Sequence, residues 1–343
     1  MPAENPGPPA GHNTARLSDL YTTMVRIRTF EETALEAHKA GEIPGPLHVS
    51  IGQEAVAVGL GLNLRPDDRM TTNHRGHGHM IAKGADPQRM FLELYGRDGG
   101  YCRGKGGSMH IADFSVGMLG ANGVVGGGIP IAVGAAQGLK LLKTDAIAVC
   151  MFGDGAMNRG PFLEGLNWAA LYQLPILFVC EDNGVAAFTA AESVTAGPGA
   201  TARAEALGVP ATSIDGNDAA NLDATAAGLI EQVRSGAGPR LLHAKTFRWT
   251  GHTSTDPAAW RDPAAVEAGK ARCPIAKLRT ILRDSGMSDG ELDAIQEAAT
   301  LEMQSARTRA NQADWPLPRG DAQSTGSTPR TLPDALVVRW EFK

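Results

Sequence analysis

Cysteine is scarce in this sequence, and long apolar or basic runs are missing. The four cysteines are far apart and form no CxxC pair, and two of them lie in apolar strand-like runs, where cysteine usually packs as a small hydrophobic residue. No uninterrupted apolar stretch approaches the length of a membrane span. The net charge is −5, and the scattered Lys and Arg residues form no basic patch for nucleic acid or for a membrane surface. We therefore expect a protein of the reducing cytoplasm that binds neither nucleic acid nor membrane.

The two ends of the sequence have little of what a folded core needs. Residues 1–16 lack the basic start and apolar stretch of a signal or transit peptide, and predict a flexible tail. Residues 305–343 are rich in Pro, Gly and Ser with a short apolar end, and predict a second tail that docks late or on a partner. With 43% hydrophobic residues, the chain can bury a large core, and we expect residues 17–304 to form one domain.

Helical and strand-like patterns alternate within this domain. Apolar residues at helical spacing predict an opening helix over 17–38. The apolar runs 146–152 and 175–180 predict buried parallel strands, with a helix over about 161–173 between them. Two further strand-like segments, "ATSIDG" and "RLLHAKTFRW", flank another helical pattern. The fold class that this alternation predicts is α/β, with a doubly wound, mostly parallel sheet.

Oxygen-bearing residues follow both buried strands. Asp154 stands between Gly153 and Gly155 after the first strand, and Asn183 follows the second. Ligands collect at the carboxyl ends of parallel strands, and the helix after Gly160 presents unpaired N–H groups near the same edge. The residues therefore predict a phosphate site with a hard cation bridging to the two side chains. Alternatively, both are turn residues that cap strands.

Several histidines lie beside glycines or at loop positions rather than on apolar stripes: His48, His74, His77, His79 and His252. Imidazole suits proton transfer near neutral pH. We favour a functional role for His252 and a packing role for His77 and His79, and leave His110 undecided.

A glycine-rich segment, 96–128, is too long for an ordinary connection and is a candidate functional loop. Its run "GGYCRGKGG" partly matches a phosphate-binding P-loop. However, Gly106 stands where Ser or Thr is required and no strand precedes the run, so we exclude that interpretation.

Five blocks occur in order along the chain: "HRGHGHMIAKG", "RGKGGSMHIAD", "GMLGANGVVGGG", "GDGAMNRGPFLEGLNWAALYQLPILFVCEDNG" and "GHTSTDP". Together they resemble the α subunits of the 2-oxo acid dehydrogenase and acetoin dehydrogenase family, which use thiamine diphosphate. The resemblance covers about residues 17–260, and its fold is the thiamine diphosphate-binding fold.

The resemblance implies a thiamine diphosphate site with Mg²⁺. The metal would be held by the side chains of Asp154 and Asn183 and by the main-chain carbonyl of Val185. Two positions depart from the family pattern: Asp182 stands where Asn is typical, and Val185 where Tyr is typical. The extra carboxylate of Asp182 would weaken anion binding unless it points away or pairs with a cation such as Arg159.

Further cofactor contacts and catalytic roles also follow from the resemblance. Arg75 would contact the diphosphate, and Gly123 and Val125 would meet the aminopyrimidine through main-chain atoms. His48 and His252 would flank the substrate end as catalytic residues. The remaining cofactor-binding positions implied are Gly153, Gly155, Ala156 and His252 itself.

The wording of the blocks most resembles the acetoin dehydrogenase α subunits. That activity cleaves acetoin to acetaldehyde and passes the hydroxyethyl group to a lipoyl acceptor. A pyruvate or branched-chain 2-oxo acid dehydrogenase, a non-oxidative carboligase and a catalytically inactive scaffold stay open as alternatives. The carboxylate that activates the pyrimidine is not identifiable here, and in the family it lies on a β subunit. The expected partners are therefore a β subunit in an α₂β₂ heterotetramer and a lipoyl acyltransferase.

The segment "HTSTDP" matches a loop that is phosphorylated in some relatives of the family. Its density of hydroxyl groups more simply indicates a loop that becomes ordered on binding.

Overall fold

The structure is a computed structural model, and it describes residues 13–313. The predicted tails lie largely outside these residues. The first helix begins at Thr14, within the predicted tail 1–16. The Asn13 side chain caps this helix by accepting a hydrogen bond from Arg16 N at 2.8 Å.

Twelve α-helices are found within residues 13–313: α1 Thr14–Lys39, α2 Glu54–Gly61, α3 His77–Ala82, α4 Pro87–Leu94, α5 Gly128–Leu141, α6 Gly160–Leu171, α7 Ala191–Val194, α8 Ala200–Ala206, α9 Ala219–Arg234, α10 Pro263–Ala271, α11 Pro274–Asp284 and α12 Asp289–Gln312. The strands of this region are β1 Arg69–Thr71, β2 Met118–Gly120, β3 Ala148–Gly153, β4 Ile176–Asp182, β5 Val185–Ala186, β6 Thr189–Ala190, β7 Ala211–Asp215 and β8 Arg240–Lys245. Short 3-10 helices span Phe114–Val116 and Asp154–Asn158.

Six strands form the main sheet in the order β2-β1-β3-β4-β8-β7, and every neighbouring pair is parallel. The α/β fold class is confirmed, and the sheet is parallel throughout rather than mostly parallel. Strands β1 and β2 were not predicted from the sequence. Each has three residues and lies in a polar or glycine-rich segment, so its pairing with the sheet, not an apolar pattern, makes it a strand.

Helices cover both faces of the sheet, and each face has its own core. On β3, Val149 and Met151 belong to one apolar cluster, whereas Ala148, Cys150 and Phe152 belong to the other. This alternation follows from the period of two along a strand. Because both faces are buried, β3 and β4 are apolar along nearly their whole length.

The last helix extends beyond the predicted domain. α12 ends at Gln312, so the predicted boundary at residue 304 lies inside a helix. This helix begins at a capping box, in which Ser288 and Glu291 satisfy each other's backbone N–H groups. Its buried residues pack against the central core beside α1 and α4. None of the helices in residues 13–313 has the length and apolar content that a membrane crossing requires.

Candidate active site

A cleft of about 430 Å³ opens at the carboxyl edge of β3 and β4. The register of these strands places Gly153 opposite Glu181, so the residues that follow both strands meet at this edge. The cleft brings together all the site residues predicted from the sequence: His48, Arg75, Gly123, Val125, Gly153, Asp154, Gly155, Ala156, Asn183, Val185 and His252.

The Asp154 carboxylate is buried in the cleft with only one of its two oxygens hydrogen-bonded. One carboxylate oxygen, Oδ1, accepts a hydrogen bond from Gly155 N at 2.9 Å, whereas Oδ2 is buried and finds no hydrogen-bond partner among the described residues. Burial raises the pKa of Asp154 to about 7, and the neighbouring Asp182 carboxylate contributes. A buried carboxylate with an open oxygen is costly unless a cation or donor reaches it.

Asn183 is oriented by two contacts. Its Nδ2 donates to Gln53 Oε1 at 3.0 Å, and its Oδ1 accepts from Val185 N at 3.2 Å.

Strand β5, which pairs with β6, packs closely against Gly155. A Cβ on Gly155 would lie 2.9 Å from the Cβ of Ala186 in this strand. This close approach explains the second glycine of the GDG sequence.

Asp182 is paired, but not with Arg159, the cation that the sequence analysis suggested. Its Oδ2 lies 2.7 Å from Nε2 of His243 on the adjacent strand β8. Against the effect of burial, the hydrogen bond from His243 lowers the pKa of Asp182. The partner that compensates the additional carboxylate is therefore His243, across the strands. Arg159 lines the cleft but is not this partner.

Two arginines provide positive charge in the cleft. Arg75 is buried and donates to Val49 O at 2.9 Å and to His252 at both O (2.8 Å) and Nδ1 (2.9 Å). Burial lowers the pKa of Arg75 to about 9 and that of Arg248 to about 10. Both guanidinium groups remain charged at neutral pH and attract anions into the cleft.

Three histidines lie close together in the cleft. The ring centroids of His48 and His74 are 4.9 Å apart, and His252 lies 5.1 Å from His48 and 5.5 Å from His74. Burial, followed by the positive charge of Arg75, lowers the pKa of His48 to about 3, of His74 to about 2 and of His252 to about 4. The three imidazoles are therefore neutral near pH 7.

His77 and His79 lie outside the cleft lining, in the packing roles expected of them. His77 is fully buried against Glu31, and Nδ1 of His79 lies 2.7 Å from Thr72 Oγ1. His110 is exposed, with Nδ1 3.2 Å from Gly106 O.

The glycine-rich segment 96–128 supplies part of the cleft wall, through Met109 and residues 122–126. Further lining residues were not predicted from the sequence, among them Gln53, Met109, Asn122 and Arg248. Of these, Arg248 had a usable signal, since it lies near the end of the strand-like segment "RLLHAKTFRW" and precedes His252. Gln53 and Met109 have no sequence signal of their own, because only the folding of distant segments brings them to the cleft.

A parallel α/β sheet with an open carboxylate, buried arginines and neutral histidines at one edge is the framework of a cofactor-dependent enzyme. The family model of the dehydrogenase E1 component matches residues 22–319, and the chain belongs to this family. Its members are oxidoreductases that use thiamine diphosphate.

Curated relatives support the assignment over most of the chain. The alpha subunit of acetoin:2,6-dichlorophenolindophenol oxidoreductase from Cupriavidus necator is 40% identical over 304 residues, which cover 88% of this chain and 91% of the relative. The Bacillus subtilis protein of the same name is 45% identical over 242 residues, covering 71% and 73%. The pyruvate dehydrogenase E1 component subunit alpha of Zymomonas mobilis is 38% identical over 304 residues, covering 88% and 85%.

Proposed function

We propose that this chain is the α subunit of a thiamine diphosphate enzyme that cleaves acetoin and oxidises the two-carbon fragment. The observation that carries the proposal is the cleft itself, which gathers every predicted cofactor residue at one sheet edge. The similarity of the chain to two acetoin oxidoreductase alpha subunits favours acetoin as the substrate.

We propose that Asp154, Asn183 and the carbonyl of Val185 hold Mg²⁺. The donor set is oxygen only, as Mg²⁺ prefers, and the unpartnered Oδ2 of Asp154 fits a cation. Arg75 and the N-terminal end of α6 would attract the diphosphate, and Gly123 and Val125 would meet the aminopyrimidine. The other cofactor-binding residues of the proposal are Gly153, Gly155 and Ala156.

Bound thiamine diphosphate supplies a carbon nucleophile for the substrate carbonyl. The chain's own histidines handle the proton. Because a guanidinium has only donors, the contact from Arg75 makes Nδ1 of His252 an acceptor, and the neutral ring carries its proton on Nε2. His252 can therefore donate a hydrogen bond to a substrate oxygen. His48 also lines the cleft, and its neutral imidazole would accept the hydroxyl proton of acetoin.

The proposal includes partners. The carboxylate that activates the cofactor's pyrimidine is expected on a β subunit, so the active particle would be an α₂β₂ heterotetramer with the cofactor at the α/β interface. A lipoyl acyltransferase would receive the two-carbon unit. Cytoplasmic location stays a prediction.

Pyruvate is the second candidate substrate, because a pyruvate dehydrogenase E1 alpha subunit is similar over 88% of the chain. Arg75 and Arg248 also offer charges that a substrate carboxylate would need. The two substrates differ at this point, since acetoin carries no charge.

Turnover by the chain co-expressed with its β partner tests the proposal. Reduction of dichlorophenolindophenol is measured with acetoin and, separately, with pyruvate. We expect acetoin-dependent reduction that the Asp154→Ala variant loses. Reduction with pyruvate but not with acetoin would show that pyruvate is the substrate. No reduction with either substrate, while the cofactor still binds, would overturn the oxidative function and favour the carboligase.

A further inference from the structure

A continuous line of hydrogen bonds runs beneath the cleft through side chains that the proposed mechanism does not use. Ser108 Oγ lies 3.0 Å from Nε2 of His77, and Nδ1 of His77 lies 2.8 Å from Oε2 of Glu31. The other carboxylate oxygen, Oε1, accepts from both the backbone N and the Oγ of Ser50, each at 3.0 Å.

The centre of this line is sealed from water. Glu31 and His77 are both 0% exposed, and the Phe30 ring packs against the imidazole in a T-shaped arrangement with centroids 5.5 Å apart. A buried carboxylate and imidazole persist only when their polar atoms are satisfied, and here all four are. Because a carboxylate oxygen accepts, Nδ1 of His77 donates to Glu31, and Nε2 lies within hydrogen-bond distance of the Ser108 hydroxyl.

The line joins three separate parts of the cleft wall. Ser50 follows His48 by two positions, His77 follows Arg75 by two, and Ser108 directly precedes Met109, a cleft-lining residue. Packing between the segments is close, since a Cβ on Gly78 would lie 3.3 Å from Ser50 Oγ. The carboxylate at the centre belongs to α1, a helix of 26 residues packed against α12.

We propose that Glu31 and His77 form a positioning pair, which fixes the segment carrying His48 and the segment carrying Met109 relative to one another from the same buried anchor. Neither residue touches the cleft, so the pair acts through the two segments. The catalytic consequence rests on the proposed function of His48, whereas the mechanical link does not.

Coupling between the two ends of the line tests the pair. Ser50→Ala and Ser108→Ala each remove one hydroxyl, and their double variant closes a thermodynamic cycle. In the assembled enzyme with its β partner, we expect each single change to lower kcat by about fivefold with little change in KM. The double variant should lose clearly less than the product of the two, because the first change already loosens the shared pair. Ser108→Thr, which keeps the hydroxyl, should restore most of the activity.

The matched control is Ser115→Ala, which removes a hydroxyl bonded to Asp113 at 2.6 Å in the same glycine-rich segment. This change should be independent of Ser50→Ala, with multiplicative effects. Multiplicative effects of Ser50→Ala and Ser108→Ala as well would overturn the proposal.

Amide hydrogen exchange gives a readout that needs no substrate. We expect Ser108→Ala to speed exchange in 48–51 as well as in 106–110, and Glu31→Gln to speed both, each by about tenfold. Faster exchange confined to 106–110 would mean a local contact and would overturn the pair. If the wild-type enzyme turned over neither acetoin nor pyruvate, the proposed function would fail while this exchange test still decided the mechanical link.

Discussion

The Asp154 carboxylate illustrates how one side chain can depend on a ligand. Its Oδ2 is buried without a partner among the described residues, and Asp182 brings a second negative charge nearby. In the absence of a cation, this arrangement destabilises the fold, because a buried carboxylate loses its hydration without compensation. A divalent ion reverses the local electrostatics and favours the ionised form.

We therefore predict that Asp154→Ala weakens Mg²⁺-dependent binding of thiamine diphosphate by ~100-fold or more, and that Asn183→Ala does so as well. The melting temperature of the cofactor-free Asp154→Ala protein should be unchanged or higher. Titration calorimetry and thermal melts measure the two effects. Asp145→Asn, which alters an exposed carboxylate paired with Arg65, is the control and should change neither. Unchanged cofactor affinity in both cleft variants would refute the metal assignment.

The cleft histidines make a second prediction, about pH. Their pKa values are about 3 for His48, 2 for His74 and 4 for His252, against an ordinary value of 6.5. Below pH 6.5 the unfolded chain takes up protons that the folded cleft refuses, so these groups make the free energy of unfolding fall as pH decreases from about 6.5 toward 4. The largest slope for one histidine is about 1.4 kcal/mol per pH unit, and partial exposure reduces it.

Urea denaturation of the cofactor-free α chain between about pH 7 and pH 5 checks this sign. The free energy of unfolding of His74→Asn should fall less steeply with decreasing pH than that of the wild type. The variant lacks one group that is protonated in the unfolded chain but not in the folded cleft. Other titrating groups, including Asp154 with its opposite effect, are common to both proteins and cancel in the comparison. The control His110→Asn changes an exposed ring and should keep the wild-type slope. Parallel curves for His74→Asn and the wild type would contradict the prediction.

Among the structural elements, α2 and α3 show how tightly the supports of the cleft are packed. A Cβ on Gly61 would lie 2.5 Å from the Cβ of Ala82 and 2.8 Å from its backbone carbonyl. Backbone atoms cannot move aside as a flexible side chain can, so the glycine is required where the two helices meet. α3 carries His77, and the segment just before it carries Arg75.

Gly61→Ala should lower the free energy of unfolding by about 1–3 kcal/mol through overpacking. Gly228→Ala is the matched control, since Gly228 lies within α9 and a Cβ there would meet nothing within 4 Å. That change should stabilise the protein by about 0.5–1 kcal/mol, the ordinary gain of alanine over glycine in a helix. Chemical denaturation measures both, and a Gly61→Ala protein as stable as the wild type would show that α2 and α3 separate easily.

The elements that the sequence predicted correctly are those with long local patterns. The opening helix and strands β3 and β4 have apolar residues at the spacing of their own structure, and their predicted bounds agree with the observed ones within a few residues. In contrast, β1 and β2 are short and become strands only by pairing with the sheet, so no local pattern indicates them.

Considered as a whole, the molecule has an open cleft with apolar residues at its rim. Val124 is 69% exposed and Val125 50%, although both line the cleft. Exposed apolar side chains beside a binding site are typical of surfaces that another chain covers. This arrangement agrees with the proposal that a β subunit completes the active site.

The isolated chain should accordingly show no acetoin-dependent dye reduction, and mixing with its separately purified β subunit should restore activity. Sedimentation or light scattering should show an α₂β₂ particle after mixing. The Asp154→Ala chain serves as the control, because it should assemble and stay inactive. Turnover by the isolated chain would disprove the requirement for a partner.

The sequence by itself determined the alternation of helices and strands and the placement of Asp154 and Asn183 after neighbouring strands, because both follow from local patterns and from the rules of parallel sheets. Five ordered motifs also indicated the family. Only the tertiary structure decided the partner of Asp182, the neutral state of the three cleft histidines and the buried Glu31–His77 pair. Each depends on contacts between residues far apart in the chain and on how deeply packing buries them from water. Neither the contacts nor the burial can be derived from local spacing.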